Sequence, residues 1–335
     1  MSAVDGPIQN LGVRPTSGPL CPLTLLPLGG WAHASAAEID RTANRLAGAS
    51  GLVVGVTSRL PPARLGPLVH ALNFTLVPDH VDNPHRQFVP VTDLDAAADR
   101  LRAITSARPQ TCVVLGQLLR QTERLDTAGG LAAEAAAHSM LLGGTEFRAR
   151  PAAGRPVAAG RSAVRVHRNG GTLSIAVDAT EPDHGLRAAL YEALVSAEAD
   201  ESVARVELRP DFRGGGDLDD VRATTDLVAA YLARLDQAPW RLIDRLRDRV
   251  TVWLHDAVTG AGLGMSAFAG RIVAAPGTCF ALPAVGLGLV PGGGGTVSVP
   301  RRIGRWRAAW LMLTEEDINT ATALRWGLID DVSTG

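Results

Sequence analysis

The chain has 335 residues, 46% of them hydrophobic and 20% charged, and a formal net charge of −1, a composition that excludes a disordered or nucleic-acid-coating protein. No lysine occurs anywhere, so lysine Schiff-base and general-base chemistry are excluded and every fixed side-chain cation is an arginine. Cys21, Cys112 and Cys279 lie far apart without CxxC spacing, which points away from disulfides and zinc and towards a reduced, cytoplasmic setting. No metal or cofactor is expected, and no apolar run is long enough to span a membrane.

In chain order, residues 1–20 are rich in Pro, Gly and Ser and read as a flexible arm. Leu20–Trp31, broken by Pro22 and Pro27, reads as a buried strand with its turns and not as a signal peptide core. The N-terminal region, residues 21–150, then alternates strand-like apolar runs at Gly51–Val56, Phe74–Val77 and Cys112–Leu115 with helical spacing at Ala36–Leu46, Pro62–Leu72 and Leu94–Ile104, an α/β pattern. Gly116–Phe147 is expected to be mostly helical, with Leu118, Leu119, Leu131, Ala135 and Met140 facing inward, as core or as the roof of a pocket. Arg120, Glu123, Arg124 and Asp126 read as its solvated face.

Pro151–Ser162 has no apolar periodicity and reads as a linker, after which residues 163–335 form a second domain. Val164–His167 and Thr172–Val177 predict a hairpin turning at Asn169–Gly171. A helix is expected over His184–Ala199, and strands at Ala204–Leu208 and Val250–Leu254.

Two glycine loops follow strands: Phe212–Leu218 (FRGGGDL) and Thr259–Gly264 (TGAGLG), the latter expected to lead into a helix at Ser266–Ala269. Glycines let a backbone approach a ligand closely, and amides at a helix N-terminus favour an oxyanion. His255–Asp256, at the entrance to the second loop, could shuttle protons, but strand neighbours point to opposite faces and a structural role is favoured. His184, Asp219 and Asp220 are comparable candidates.

Thr278–Pro283 (TCFALP), Val285–Val290, Pro291–Thr296 (PGGGGT), Pro300–Arg305 (PRRIGR) and Ala321–Val332 (ATALRWGLIDDV) complete an ordered series with the two loops. Over about half the chain it resembles the crotonase, or enoyl-CoA hydratase/isomerase, superfamily. The resemblance implies an α/β fold, a crotonase-like spiral of ββα units preceded here by the N-terminal α/β region. It implies an acyl-CoA, or carrier-bound acyl thioester, as substrate, with no nucleic-acid partner. Gly216 and Ala261 then correspond to the two backbone donors of an oxyanion hole that stabilises a thioester enolate. Gly214, Gly215, Asp217, Gly262, Gly264, Ala284, Gly292 and Gly293 would line the substrate site.

Hydratases of this family carry glutamates at the positions of Gly264, or Phe268 under a local shift of the alignment, and Ala284, so hydration of an enoyl thioester is not expected with either choice. Asp219 stands where relatives often carry a lysine for the CoA phosphates, leaving Arg213, Arg301, Arg302 and Arg305 as candidates for that contact. The sequence stops just past Asp331, without the family's helical C-terminal extension, so homo-oligomerisation is an open expectation. Three readings follow: a non-hydratase acyl-CoA enzyme (isomerase, lyase, hydrolase or oxygenase), a catalytically silent homologue that binds a thioester or a partner subunit, and a cofactor-independent dioxygenase. The last rests on a weaker likeness of residues 117–147 to the helical region of dihydroxyphenylacetyl-CoA dioxygenases.

Overall fold

The computed structural model describes residues 13–14, 18–19, 21–82, 85–148, 163–179, 184–212, 226–236 and 238–333. A two-residue ladder, β1 (Val13–Arg14) with β2 (Gly18–Pro19), precedes the first sheet. That sheet is parallel throughout and runs in chain order: β3 (Leu23–Pro27), β4 (Leu52–Val56), β5 (Phe74–Pro78) and β6 (Phe88–Val91). Helices α1 (Ala36–Ala47) and α2 (Gly66–Ala71) carry the first two crossovers. Alternation along β4 assigns its two faces: Leu52 and Val54 enter one apolar cluster, Val53 the other with Ile39, Leu46 and Leu68.

Three helices follow, α3 (Leu94–Ala107), α4 (Pro109–Thr122) and α5 (Thr127–Leu142), with a single turn, α6 (Thr145–Arg148). Cys112–Leu115, expected as a strand, lies inside α4. Its four apolar residues continue a helical stripe that includes Leu118 and Leu119, and a run this short cannot distinguish a buried strand from a buried helix. Met140 is 57% exposed and not part of the inward face, unlike Leu118, Leu119, Leu131 and Ala135. Strand β6 carried no sequence expectation.

Beyond the linker positions, which lie outside the described residues, β7 (Ala163–Asn169) and β8 (Thr172–Ala179) form the expected hairpin. They are followed by α7 (His184–Ala199), β9 (Arg205–Phe212), α8 (Leu227–Leu235), α9 (Pro239–Arg245) and β10 (Val250–Leu254). The chain then turns through β11 (Ala257–Thr259), α10 (Gly260–Ser266), β12 (Arg271–Ala274), β13 (Cys279–Ala281), the long α11 (Gly295–Thr314), β14 (Ile318–Asn319), α12 (Thr320–Trp326) and β15 (Asp331–Val332). Two sheets result, in the orders β15-β12-β10-β9-β8-β7 and β11-β13-β14. β10 and β12 pair in the large sheet while their continuations β11 and β13 pair in the small one, so each turn of the chain supplies both sheets. The corner after β10 is made at Asp256, whose φ is 56°, and the corner after β12 at Gly277, with φ 83°.

One apolar core crosses from the N-terminal region into the C-terminal one, joining Leu52, Phe74 and Leu115 to Leu208, Phe280 and Trp310. Phe74 meets Trp310 edge to face at 5.9 Å between ring centroids. Helix α11 bends at Gly304 (φ 82°, ψ 149°), and its second half is held against the N-terminal region by arginines. Arg305 donates to the carbonyls of His70 and Leu72 (3.0 Å to Leu72) and pairs with Glu123 at 2.8 Å. No helix among the described residues is long and apolar enough to cross a membrane.

The first turn of α11 has no capping side chain of its own, because its N-cap is Gly294 at φ 81°. Glu134 of α5 supplies one: its carboxylate accepts from Gly294 N (2.8 Å), Thr296 N (2.9 Å) and Thr296 Oγ1 (2.7 Å). Burial raises the Glu134 pKa, and the Thr296 and Gly294 donors and the Arg234 charge oppose that rise. One turn along α5, His138 Nδ1 lies 3.0 Å from the Val290 carbonyl. A carbonyl only accepts, so Nδ1 carries the hydrogen and Nε2 holds a buried lone pair with no partner.

Replacing Glu134 by Leu strands three buried donors, and we expect a loss of about 3–5 kcal/mol in urea unfolding, with a smaller loss for Glu134→Gln. His138 gives a pH-dependent expectation. Its pKa lies well below the ordinary value, through burial first and the Arg234 charge second. The folded state therefore refuses a proton that the unfolded chain binds near pH 6.5, and stability falls as pH drops below that point by about 1.4 kcal/mol per unit. Unfolding midpoints compared between about pH 7.5 and 5.5 should show a component of this slope that is missing in His138→Gln.

Candidate active site

The second glycine loop is a strand-to-helix elbow. Thr259 ends β11 in extended backbone (ψ 158°), Gly260 turns the chain at φ 54°, and α10 begins at that glycine, earlier than the expected Ser266. The sequence suggests a loop here because glycines disfavour helix; tertiary packing overrides that preference. Ala261 is the second residue of α10, so its N–H belongs to the set that a helix leaves without an internal acceptor. No turn, loop or side-chain acceptor takes it among the described residues.

The PGGGG loop closes onto this elbow by backbone contact. A Cβ on Gly293 would stand 2.9 Å from both Cα and Cβ of Ala261, and one on Gly264 would stand 2.8 Å from Gly295 N and 2.9 Å from its Cα. Both distances are shorter than side-chain carbons tolerate, so the glycines are required by close approach. Ser298 Oγ locks the pair, donating 2.6 Å to the Gly264 carbonyl. Gly262 is buried in the same turn. The structure thus brings Ala261, Gly262, Gly264 and Gly293 together.

Gly292 lies on the other side of the loop, between two polar side chains. Arg234 Nη1 is 3.3 Å and His138 Nδ1 3.7 Å from the point its Cβ would occupy. Burial lowers the Arg234 pKa to about 10, against the opposing pull of Glu134, so the guanidinium is charged at neutral pH. A carboxylate, a cation and a neutral imidazole acceptor therefore surround the loop that backs Ala261. Ala284 is 6% exposed, and its N–H donates to Glu315 Oε1 at 2.7 Å, as does that of Gly286 at 2.8 Å.

Gly214, Gly215, Gly216 and Asp217, with Arg213, Asp219 and Asp220, lie outside the described residues, as does the side chain of His184. His255 and Asp256 form the corner between β10 and β11: the two side chains meet at 3.1 Å on the surface, and the positive φ of Asp256 turns the strand. Of the arginines expected to meet CoA phosphates, Arg301 bonds Thr127 (2.6 Å), Arg302 bonds Asp330 (3.1 Å) and the Ala267 carbonyl (3.0 Å), and Arg305 makes the ties described above. All three hold elements together.

Of the residues read as a solvated face, Glu123, Arg124 and Asp126 are exposed as expected, and only Arg120 is half-buried. Arg120 bonds the carbonyls of Leu46 (3.1 Å) and Ala49 (3.0 Å), while Glu123 pairs with Arg305. Asp126 caps α5.

Glu134, His138, Arg234 and Glu315 escaped sequence reasoning. The spacing of Glu134 and His138 on an alanine-rich stretch was the available signal: two polar residues one turn apart share a helix face, and small neighbours permit close packing on that face.

A family model described as enoyl-CoA hydratase/isomerase matches residues 183–334. Among solved structures, the chain is similar to a candidate enoyl-CoA hydratase/carnithine racemase of Magnetospirillum magneticum AMB-1, at 29% identity over 51% of this chain and 69% of that one, with a TM-score of 0.45. It is also similar to an enoyl-CoA hydratase of Mycobacterium smegmatis (25% identity, 50% of this chain and 69% of that one, TM-score 0.46). A third likeness is to enoyl-CoA hydratase from Thermoplasma volcanium GSS1 (24% identity, 51% and 72%, TM-score 0.46). With two sheets fed by each turn of the chain and a glycine-backed elbow at Ala261, the C-terminal part of this chain, residues 183–334, belongs to the crotonase, or enoyl-CoA hydratase/isomerase, superfamily.

Proposed function

We propose that the protein is an acyl-thioester enzyme that polarises the thioester carbonyl with the Ala261 N–H, paired with that of Gly216, and stabilises an enolate without a hydratase glutamate pair. The observation that carries this reading is the packing at Gly264. Backbone of Gly293 to Gly295 stands in the space a side chain there would need, which supports the reading that no glutamate acts from this position. The methyl group of Ala284 can transfer no proton either. Water activation at Cβ needs such a group. Oxyanion stabilisation does not: a developing negative oxygen needs only oriented N–H donors in a site that excludes water.

The chemistry fits isomerisation, decarboxylation, C–C cleavage or oxygenation through the enolate, or thioester hydrolysis through a tetrahedral oxyanion held by the same donors. Nucleic acid plays no part in this reading, and the substrate carrier is CoA or a carrier protein. Incubation with butyryl-CoA and phenylacetyl-CoA in D2O, read by mass spectrometry, reports enolate formation as deuterium uptake at Cα. Binding without uptake or product would favour the catalytically silent homologue. Absence of binding would overturn both readings.

Two substitutions probe the mechanism. Ala261→Pro removes the donor N–H at a first-turn position where proline is compatible with a helix, and deuterium uptake should fall about 100-fold or more with the fold retained by circular dichroism. Uptake at the wild-type rate would show that Ala261 is not the donor. Gly264→Glu should not create a hydratase. It should instead lower the thermal unfolding midpoint, with a destabilisation of about 1–3 kcal/mol or more, because the new Cβ must displace the Gly295 backbone.

A further inference from the structure

A second cleft, of about 880 Å³, opens in the N-terminal region between the C-terminal end of α1, helix α2 and helix α4, with Arg305 of α11 at its base. Ala43, Ala47 and Ala71 keep one wall low and apolar, and Gln117, Gln121 and Asn44 present amides. Three guanidiniums line it, those of Arg120, Arg124 and Arg305, against a single carboxylate, Glu123. That carboxylate is already bonded to Arg305.

The charge of Arg120 is not cancelled locally. Among the described residues its hydrogen bonds go to two carbonyls and to Asn73 Oδ1 (2.8 Å), all neutral acceptors, and its buried Nε has no partner there. Carbonyl dipoles at the end of α1 offset part of a unit charge, but not the whole of it. Burial lowers the Arg120 pKa to about 10, with the charges of Arg305 and Arg124 adding to the effect, and the group is still protonated at neutral pH. Arg124 stands exposed at the rim. Two positive charges in excess, one of them largely desolvated, are costly to hold together unless an anion joins them.

We propose that this cleft binds a phosphate monoester of a small ring-bearing molecule. A phosphate monoester carries nearly two negative charges at neutral pH, which matches the excess, and its oxygens suit guanidinium donors. The cleft has the size of small-molecule sites, which run from about 300 to 1,000 Å³, and so leaves room for a ring against the alanine wall beside the amides. It is separate from the thioester site, since none of its lining residues belongs to the elbow or to the PGGGG loop, and the inference does not rest on thioester chemistry.

Adenosine 5′-monophosphate, adenosine and inorganic phosphate serve as probes, with calorimetric titration of the full chain at low and moderate salt. The monophosphate should bind, weaken with salt and bind at least tenfold more tightly than adenosine. Arg124→Glu, at an exposed position, should weaken it at least tenfold while leaving the ligand-free unfolding temperature unchanged, and Ala47→Leu, which fills the wall, should weaken it as well. Failure of both the monophosphate and phosphate to bind at millimolar concentration would overturn the proposal. So would binding that survives Arg124→Glu, the result expected if the nucleotide occupied the thioester pocket instead. Phosphate binding without monophosphate binding would overturn the claim for an organic ester.

Discussion

The buried carboxylate of Glu134 is the contact on which the candidate site depends. An α-helix begins with N–H groups that have no internal acceptor, and α11 begins with glycines that cannot supply one. Glu134 reaches across from α5 and satisfies two of those amides and the Thr296 hydroxyl together. The glycine loop it holds is the same loop that packs on Ala261 and Gly264. A residue of the N-terminal region therefore sets the backbone geometry at the elbow of the C-terminal one. The shared apolar core makes the same connection in another way, through Phe74 and Trp310.

Arginine does the work of joining elements in this lysine-free chain. Arg120, Arg302 and Arg305 each spread their donors over carbonyls or carboxylates from different elements. A planar guanidinium with five donors suits that role, whereas an ammonium would satisfy fewer acceptors in fixed directions. The consequence is that arginines suited in principle to CoA phosphates are committed to the fold. At the N-terminal cleft, the same tying role leaves positive charge in excess of the acids around it.

Gly264 and Ala284 are held in different ways. At Gly264 the backbone of the neighbouring loop approaches to a distance that only glycine allows. At Ala284 the neighbouring carboxylate, Glu315, is bonded to two backbone amides and caps the turn. Gly264 is built into the packing of the elbow, and Ala284 into the turn that Glu315 caps.

Much of the fold was legible in the sequence because its signals are local. The apolar run at Gly51–Val56, the Asn169–Gly171 turn, the helical stripe of His184–Ala199 and the order of the glycine motifs each reflect interactions within a few residues, and the family likeness rests on the last of these. Local patterns failed where packing outweighs propensity: Cys112–Leu115 became helix because it continues the buried stripe of α4, and Gly260–Ser266 became helix because its glycines meet another backbone. The sequence by itself determined the C-terminal fold class and the place of the second glycine loop in the chain. Only the tertiary structure decided that Gly264 has no room for a side chain, that Glu134 caps the glycine loop, and that Arg120 and Arg305 line one cleft. Those relations join residues 31 to 185 positions apart, and distance in the chain leaves no periodic trace of contact in space.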